Sequence, residues 1–226
     1  MTGTKKDSIR SGGFTLVELL VVISIIAILA GLAMSGVLKG KLSGEESAVK
    51  HNLTALGSRI EQYANELGDY PPSSLVAFGI PGNGANEGIE CVLACLQTRK
   101  HNGPFIDDLD PDQRSNADED HLTKLQVSHV RKRLDWSRQN DKLWEYCDRW
   151  GNPLIYIHSR DYGKQFKVQR RDGEVLLVSA KKDPETGGYY KPTEYQLWSL
   201  GVDEISGDEY GEGEGEGDDI YHWKQR

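Results

Sequence analysis

Apolar positions are spread very unevenly along the chain. From Phe14 to Leu38 only Glu18 is ionisable in 25 positions, and a helix of that length rises about 37 Å, more than a bilayer core requires. The stretch reads as a membrane span. No proline follows up to residue 67, and Leu53, Leu56, Ile60, Tyr63, Ala64 and Leu67 recur on one helical stripe, so residues 39–67 form an amphipathic second half. Gly36, Gly40 and Gly44 loosen the join, each at a cost of about 1 kcal/mol relative to alanine. Ala27, Ala30, Gly31 and Ala33 give the span a small-residue surface suited to close helix packing. Gly68 and the pair Pro71-Pro72 end the helix.

Shorter periods follow. Asn86 to Arg99 reads as a helix capped by Asn86, with Ile89, Val92, Leu93 and Leu96 on its apolar face. Residues 106–120 form an acidic, proline-containing loop. Residues 121–146 are polar, with Leu122, Leu125, Val130 and Leu134 near helical spacing, and are expected to hold an inserted helix or helix pair. The β-rich runs 153–158, 166–169, 175–180 and 195–200 are punctuated by Asp172-Gly173 and Gly187-Gly188 turns. The expected class is α+β: a long N-terminal helix packed on a small antiparallel sheet, with a helical insertion and a C-terminal acidic loop.

Composition narrows the function. With 27% charged and 37% hydrophobic residues over 226 positions the bulk of the chain is too polar for a polytopic membrane protein. The net charge of -8 argues against general binding to phosphate backbones. Twelve Lys or Arg lie between Lys124 and Arg171, but they interleave with acids and read as a solvated face, so nucleic acid is not an expected partner. Cys91, Cys95 and Cys147 supply neither a disulfide framework nor a zinc site. The first two suit a core, and a bond from either to Cys147 is open in an oxidising compartment. No H-E-x-x-H or G-x-S-x-G pattern occurs, so no catalytic centre is nominated and an enzyme is not expected.

Both ends carry chemistry. Lys5, Lys6 and Arg10 against Asp7 place the N-terminus on the cytoplasmic side. Glu18 inside a span calls for a partner or a route to the interface, because a central carboxylate costs about 2.5–3.5 kcal/mol there. Near the C-terminus, residues 203–219 hold nine carboxylates, with glycines at 207, 211, 213, 215 and 217. Such a segment is either a solvated acidic tail or a backbone free to curl oxygens around a hard cation. The flanking Trp198 and Trp223 favour an anchored loop.

The junction Gly12-Gly13-Phe14-Thr15-Leu16-Val17-Glu18 resembles the class III signal of type IV pilins and type II secretion pseudopilins. The resemblance implies cleavage between Gly13 and Phe14 by a membrane prepilin peptidase, N-methylation of Phe14, and pairing of Glu18 with the new α-amine in its own chain or on a neighbouring subunit. Gly13 suits such a cut, since it lets a protease approach the backbone closely. Tyr70-Pro71, Asp148-Arg149-Trp150-Gly151-Asn152-Pro153, and the pair Ser199-Leu200-Gly201-Val202-Asp203 and Asp219-Ile220-Tyr221-His222-Trp223 are similar to elements of the major pseudopilin of type II secretion. That likeness implies calcium held by the Leu200 carbonyl and Asp203, with the remaining ligands among Asp208, Glu216, Asp218 and Asp219. The sequence departs from that family at Ser35, where many relatives carry proline, in the long insertion at 106–146, and in the length of the Glu-Gly loop.

The implied organisation is a leader at 1–13, a membrane half of the helix at 14–38, an amphipathic half at 39–67, and an extracytoplasmic head at 68–226 that includes the 106–146 insertion and a calcium loop at 200–223. The implied function is a structural subunit of a type II secretion pseudopilus, anchored once in the bacterial inner membrane with its head in the periplasm. Its partners would be further copies and other pseudopilins, the prepilin peptidase and the inner-membrane secretion platform. The alternative is a minor type IV pilin in adhesion, motility or DNA uptake.

Overall fold

The computed structural model describes residues 15–80, 82–107, 111–135, 141–202 and 219–223, and of 32–39 the backbone alone. The chain divides into two units, 1–44 and 45–226. In the first, helix α1 (Leu16–Leu67) begins, and its described apolar side chains, from Leu16 to Leu29, are all exposed. Among the described residues no helix is long and apolar enough to cross a membrane; the described side chains of this apolar stretch end at Gly31.

In the second unit the rest of α1 buries Val49, Leu53, Leu56, Ile60 and Tyr63. The buried stripe therefore starts one turn earlier than the sequence suggests, while Ala64 and Leu67 are only half-buried. The helix stops at Leu67 because Gly68 takes φ +85°, a conformation costly for side chains with a Cβ, and donates its N–H to the Ala64 carbonyl at 2.8 Å. Helix α2 (Glu87–Leu96) is shorter than predicted, and nine of its ten residues are buried. Asn86 occupies the N-cap position with φ 52°, but its side chain makes no cap. Its amide instead brackets Gln169, donating to the backbone carbonyl at 3.1 Å and accepting the N–H at 3.0 Å. A long-range backbone pair has outcompeted the local cap.

Within 106–146 the described residues contain one α-helix, α3 (Lys124–Leu134), closed at its start by a Thr123–Gln126 capping box, and a single 3-10 turn at Pro111–Gln113. Leu122, Val130 and Leu134 are buried, but Leu125 is 67% exposed. Of the two expected forms, a helix or a helix pair, the described residues show the single helix, and the segment ends in strand β2 (Glu145–Tyr146), which pairs antiparallel with β1 (Arg114–Ser115).

The fold is α+β, and among the described residues the strands form three small antiparallel sheets. Besides β1–β2 there is a hairpin of β4 (Gln165–Gln169) and β5 (Val175–Ser179), turning at Asp172-Gly173, and a sheet ordered β3 (Ile155–His158), β6 (Tyr195–Ser199), β7 (Ile220–Tyr221). Strands β3 and β6 are buried along their whole length and divide the core. Tyr156, Tyr195 and Leu197 face a cluster with α1 and α2; Ile155, Ile157 and Trp198 face a second cluster with Val168, Leu176 and Val178. This follows from the two-residue period of a strand. Helix α2 approaches β3 so closely that a Cβ on Gly88 would lie 2.2 Å from the Tyr156 carbonyl oxygen. Cys91, Cys95 and Cys147 are all buried free thiols, so the structure holds neither of the disulfides the sequence leaves open.

Candidate functional site

Gly13 and Phe14 lie outside the described residues. Glu18 stands in the first turn of α1. Its Oε2 accepts the Thr15 N–H at 2.8 Å and the Thr15 hydroxyl at 2.7 Å, while the Glu18 N–H donates to Thr15 Oγ1 at 3.2 Å. The carboxylate thus caps the start of its own helix, a local use the sequence reading did not consider. The apolar side chains beside it are exposed, from Leu16 at 81% to Leu20 at 55%.

At the other end the structure brings together the two sides of the acidic loop. Trp198 pairs with Tyr221 and Ser199 with Ile220, and the His222 N–H donates to the Leu197 carbonyl at 3.0 Å. The Trp223 ring meets Trp198 edge-on at 6.2 Å and Tyr221 at 4.9 Å. Behind this clasp sits the Asp148–Pro153 turn. Asp148 Oδ1 accepts the N–H groups of Trp150 and Asn152, each at 3.0 Å, and Gly151 takes φ +90°. Burial pushes the Asp148 carboxyl up to about 6, against the lowering effect of Ser199 and the turn's own N–H groups.

Of the expected calcium ligands, Asp203, Asp208, Glu216 and Asp218 lie outside the described residues. Leu200 is fully buried, and Gly201 beside it takes φ +76°. Asp219 is also buried, but its Oδ2 accepts the Tyr221 hydroxyl at 2.9 Å and lies 3.8 Å from the Lys181 ammonium. A carboxylate already facing a cation of its own chain is a poor calcium ligand, so these two donors do not make a cation site by themselves.

A cluster absent from the sequence reading lies at the start of α2. Glu90 is 1% exposed, and one ligand atom from each of Glu90, Asp118 and Glu145 falls within 4.8 Å of the others. Burial, with Asp120, Asp118, Glu145 and Glu87 nearby, pushes Glu90 up to about 11. Burial with Asp118 and Glu87 raises Asp120 to about 7, and burial with Asp118 raises Glu145 to about 7. The only local hint is an acid among the apolar residues of α2.

The prokaryotic N-terminal methylation motif matches residues 9–34, a span containing Gly13, Phe14 and Glu18. The chain is similar to the type IV major pilin protein PilA of Myxococcus xanthus (strain DK1622), with 38% identity over 72 residues, 27% of this chain and 33% of the relative. It thus spans about a third of the length of the curated relative it matches. No solved structure matches. With its long first helix and α+β body, the chain carries a prokaryotic N-terminal methylation motif and resembles a type IV major pilin over 72 residues.

Proposed function

We propose that this chain is a structural subunit of a type II secretion pseudopilus, cut between Gly13 and Phe14, methylated on Phe14 and polymerised through its N-terminal helix. The observation that carries the reading is the methylation motif falling on the start of α1, where one acid stands among exposed apolar side chains. An exposed apolar helix face needs lipid or other copies of itself. The subunit would be held in the inner membrane by 14–38 with its head in the periplasm. In the filament, Glu18 would exchange its Thr15 donors for the methylated α-amine of a neighbouring Phe14.

The clasped ends of the acidic loop and the Asp148–Pro153 turn behind them support the pseudopilin form of this reading. Calcium would be held by Asp203 and loop carboxylates, and when bound it would offset their mutual repulsion. The name of the Myxococcus relative favours a second reading, a type IV pilin. Mass spectrometry of the native protein tests the shared part: loss of residues 1–13 and a methyl group on Phe14 are expected, and an intact Met1 overturns it. Deleting the gene then separates the two readings, since loss of protein export supports the pseudopilus and loss of surface pili supports the pilus.

A further inference from the structure

Glu90 breaks the apolar face of α2 and is buried: both carboxylate oxygens are inaccessible and neither receives a hydrogen bond from the described residues. A buried carboxylate without a donor is among the costliest polar arrangements a fold can hold, and here it points at two more acids. Glu145, wholly buried on β2, is aimed by neutral donors, Asn86 Nδ2 at 3.2 Å and the Ala117 N–H at 3.1 Å. Asp118 is aimed the same way, by Asn83 Nδ2 at 2.7 Å and the Asp120 N–H at 3.4 Å. None of these donors supplies a positive charge.

The turn that carries Asp118 presents further oxygens. Asn116, Asp118 and Asp120 alternate along Asn116-Ala117-Asp118-Glu119-Asp120, and the Oδ1 atoms of Asn116 and Asp120 are buried and accept no hydrogen bond. Alternating oxygen-bearing side chains on a short turn, completed by glutamates from elsewhere in the fold, suit a hard cation that takes six to eight oxygens. The donor set contains no nitrogen or sulfur ligand, which disfavours zinc and copper.

We propose that Glu90, Asp118 and Glu145 bind a calcium ion, with water completing its oxygen shell. The ion would staple α2 to the 116–120 turn and to β2, fastening the 106–146 insertion to the body of the head. It is separate from any ion in the C-terminal loop and stands or falls independently of the pseudopilus reading.

The test is calorimetric titration of calcium chloride into the chelator-treated full chain in detergent, comparing the parent with Glu90→Gln, Asp118→Asn and Asp203→Asn. Glu90→Gln and Asp118→Asn should each bind one calcium ion fewer, or bind it at least about tenfold more weakly, while Asp203→Asn keeps that ion. In chelator Glu90→Gln should melt no lower than the parent, because the amide brings no charge into this dry acidic site; in calcium it should melt lower. If Glu90→Gln does not fold, the half-buried Asp118→Asn decides the question. No calcium bound by the parent, unchanged binding in Glu90→Gln and Asp118→Asn, or magnesium bound as tightly as calcium would overturn the assignment.

Discussion

Ser199 donates its hydroxyl to Asp148 Oδ2 at 2.7 Å, joining the last residue of β6 to the turn that opens the sheet. Ser199 Oγ in turn accepts the Gly201 N–H at 3.1 Å. One buried hydroxyl therefore sets the backbone as it leaves for the acidic loop. Ser199→Ala removes the side-chain donor to a buried carboxyl, and the expected cost is about 1–3 kcal/mol. Urea unfolding of the full chain in detergent would measure it, and an unchanged midpoint would show that water replaces the hydroxyl.

The buried acids set the pH response of the calcium-free chain. Glu90, Asp120, Glu145 and Asp148 all titrate above their ordinary range, so the folded state holds more protons than the unfolded state and stability rises as pH falls through that window. Half-buried His222 is shifted down, by burial first and Lys191 second, so it opposes the trend as pH falls through the usual histidine range. In chelator the chain should thus melt higher at about pH 6.5 than at about pH 8, each extra bound proton being worth about 1.4 kcal/mol per pH unit. Glu90→Gln should flatten the slope; a melting temperature that rises with pH contradicts the account.

Gly88 and Gly40 should respond oppositely to alanine. At Gly88 the new methyl meets the Tyr156 carbonyl oxygen, a backbone atom that moves only with β3, and a loss of about 1–3 kcal/mol is expected. Gly40 lies in α1 with nothing within 4 Å of the added Cβ. There the gain in helix propensity is about 1 kcal/mol. Circular dichroism melts of the two variants would show the opposite signs.

Glu18→Ala separates processing from assembly. The cleavage junction at Gly13-Phe14 is untouched, so the leader should be removed as in the parent. Incorporation into filaments should fall, because the carboxylate that would receive a neighbouring α-amine is gone. Immunoblotting of sheared and membrane fractions reads both steps, and normal assembly of the variant would exclude a pairing role.

Asp203→Ala addresses the C-terminal loop. Binding of calcium to the folded chain alone raises stability by about 2.7 kcal/mol at a hundredfold excess over Kd. The variant should lose the part of the calcium-dependent rise in melting temperature that survives in Glu90→Gln. A calcium response unchanged by Asp203→Ala would show that the loop is a solvated tail.

Local order is written in the sequence wherever neighbouring residues suffice to choose it. The spacing of Leu53, Leu56, Ile60 and Tyr63 marks the buried face of α1, since one helical turn brings them into line whatever they pack against. Gly68 ends that helix through its own backbone freedom, and Asp172-Gly173 turns the β4–β5 hairpin for the same reason. The junction from Gly12 to Glu18 is likewise contiguous, so the prepilin motif is legible without a fold.

Tertiary structure decided the rest. Asn86 reads as a cap, yet Gln169 offers its amide two bonds where the helix start offers one. The short pair Ile220-Tyr221 becomes a strand only because β6 presents a free edge beside it. Glu90 reads as a stray acid on an apolar helix until the chain returns with Asp118 and Glu145. Each outcome depends on residues far apart in sequence meeting in a dry interior, where the loss of water makes partner choice costly. No local period carries that information.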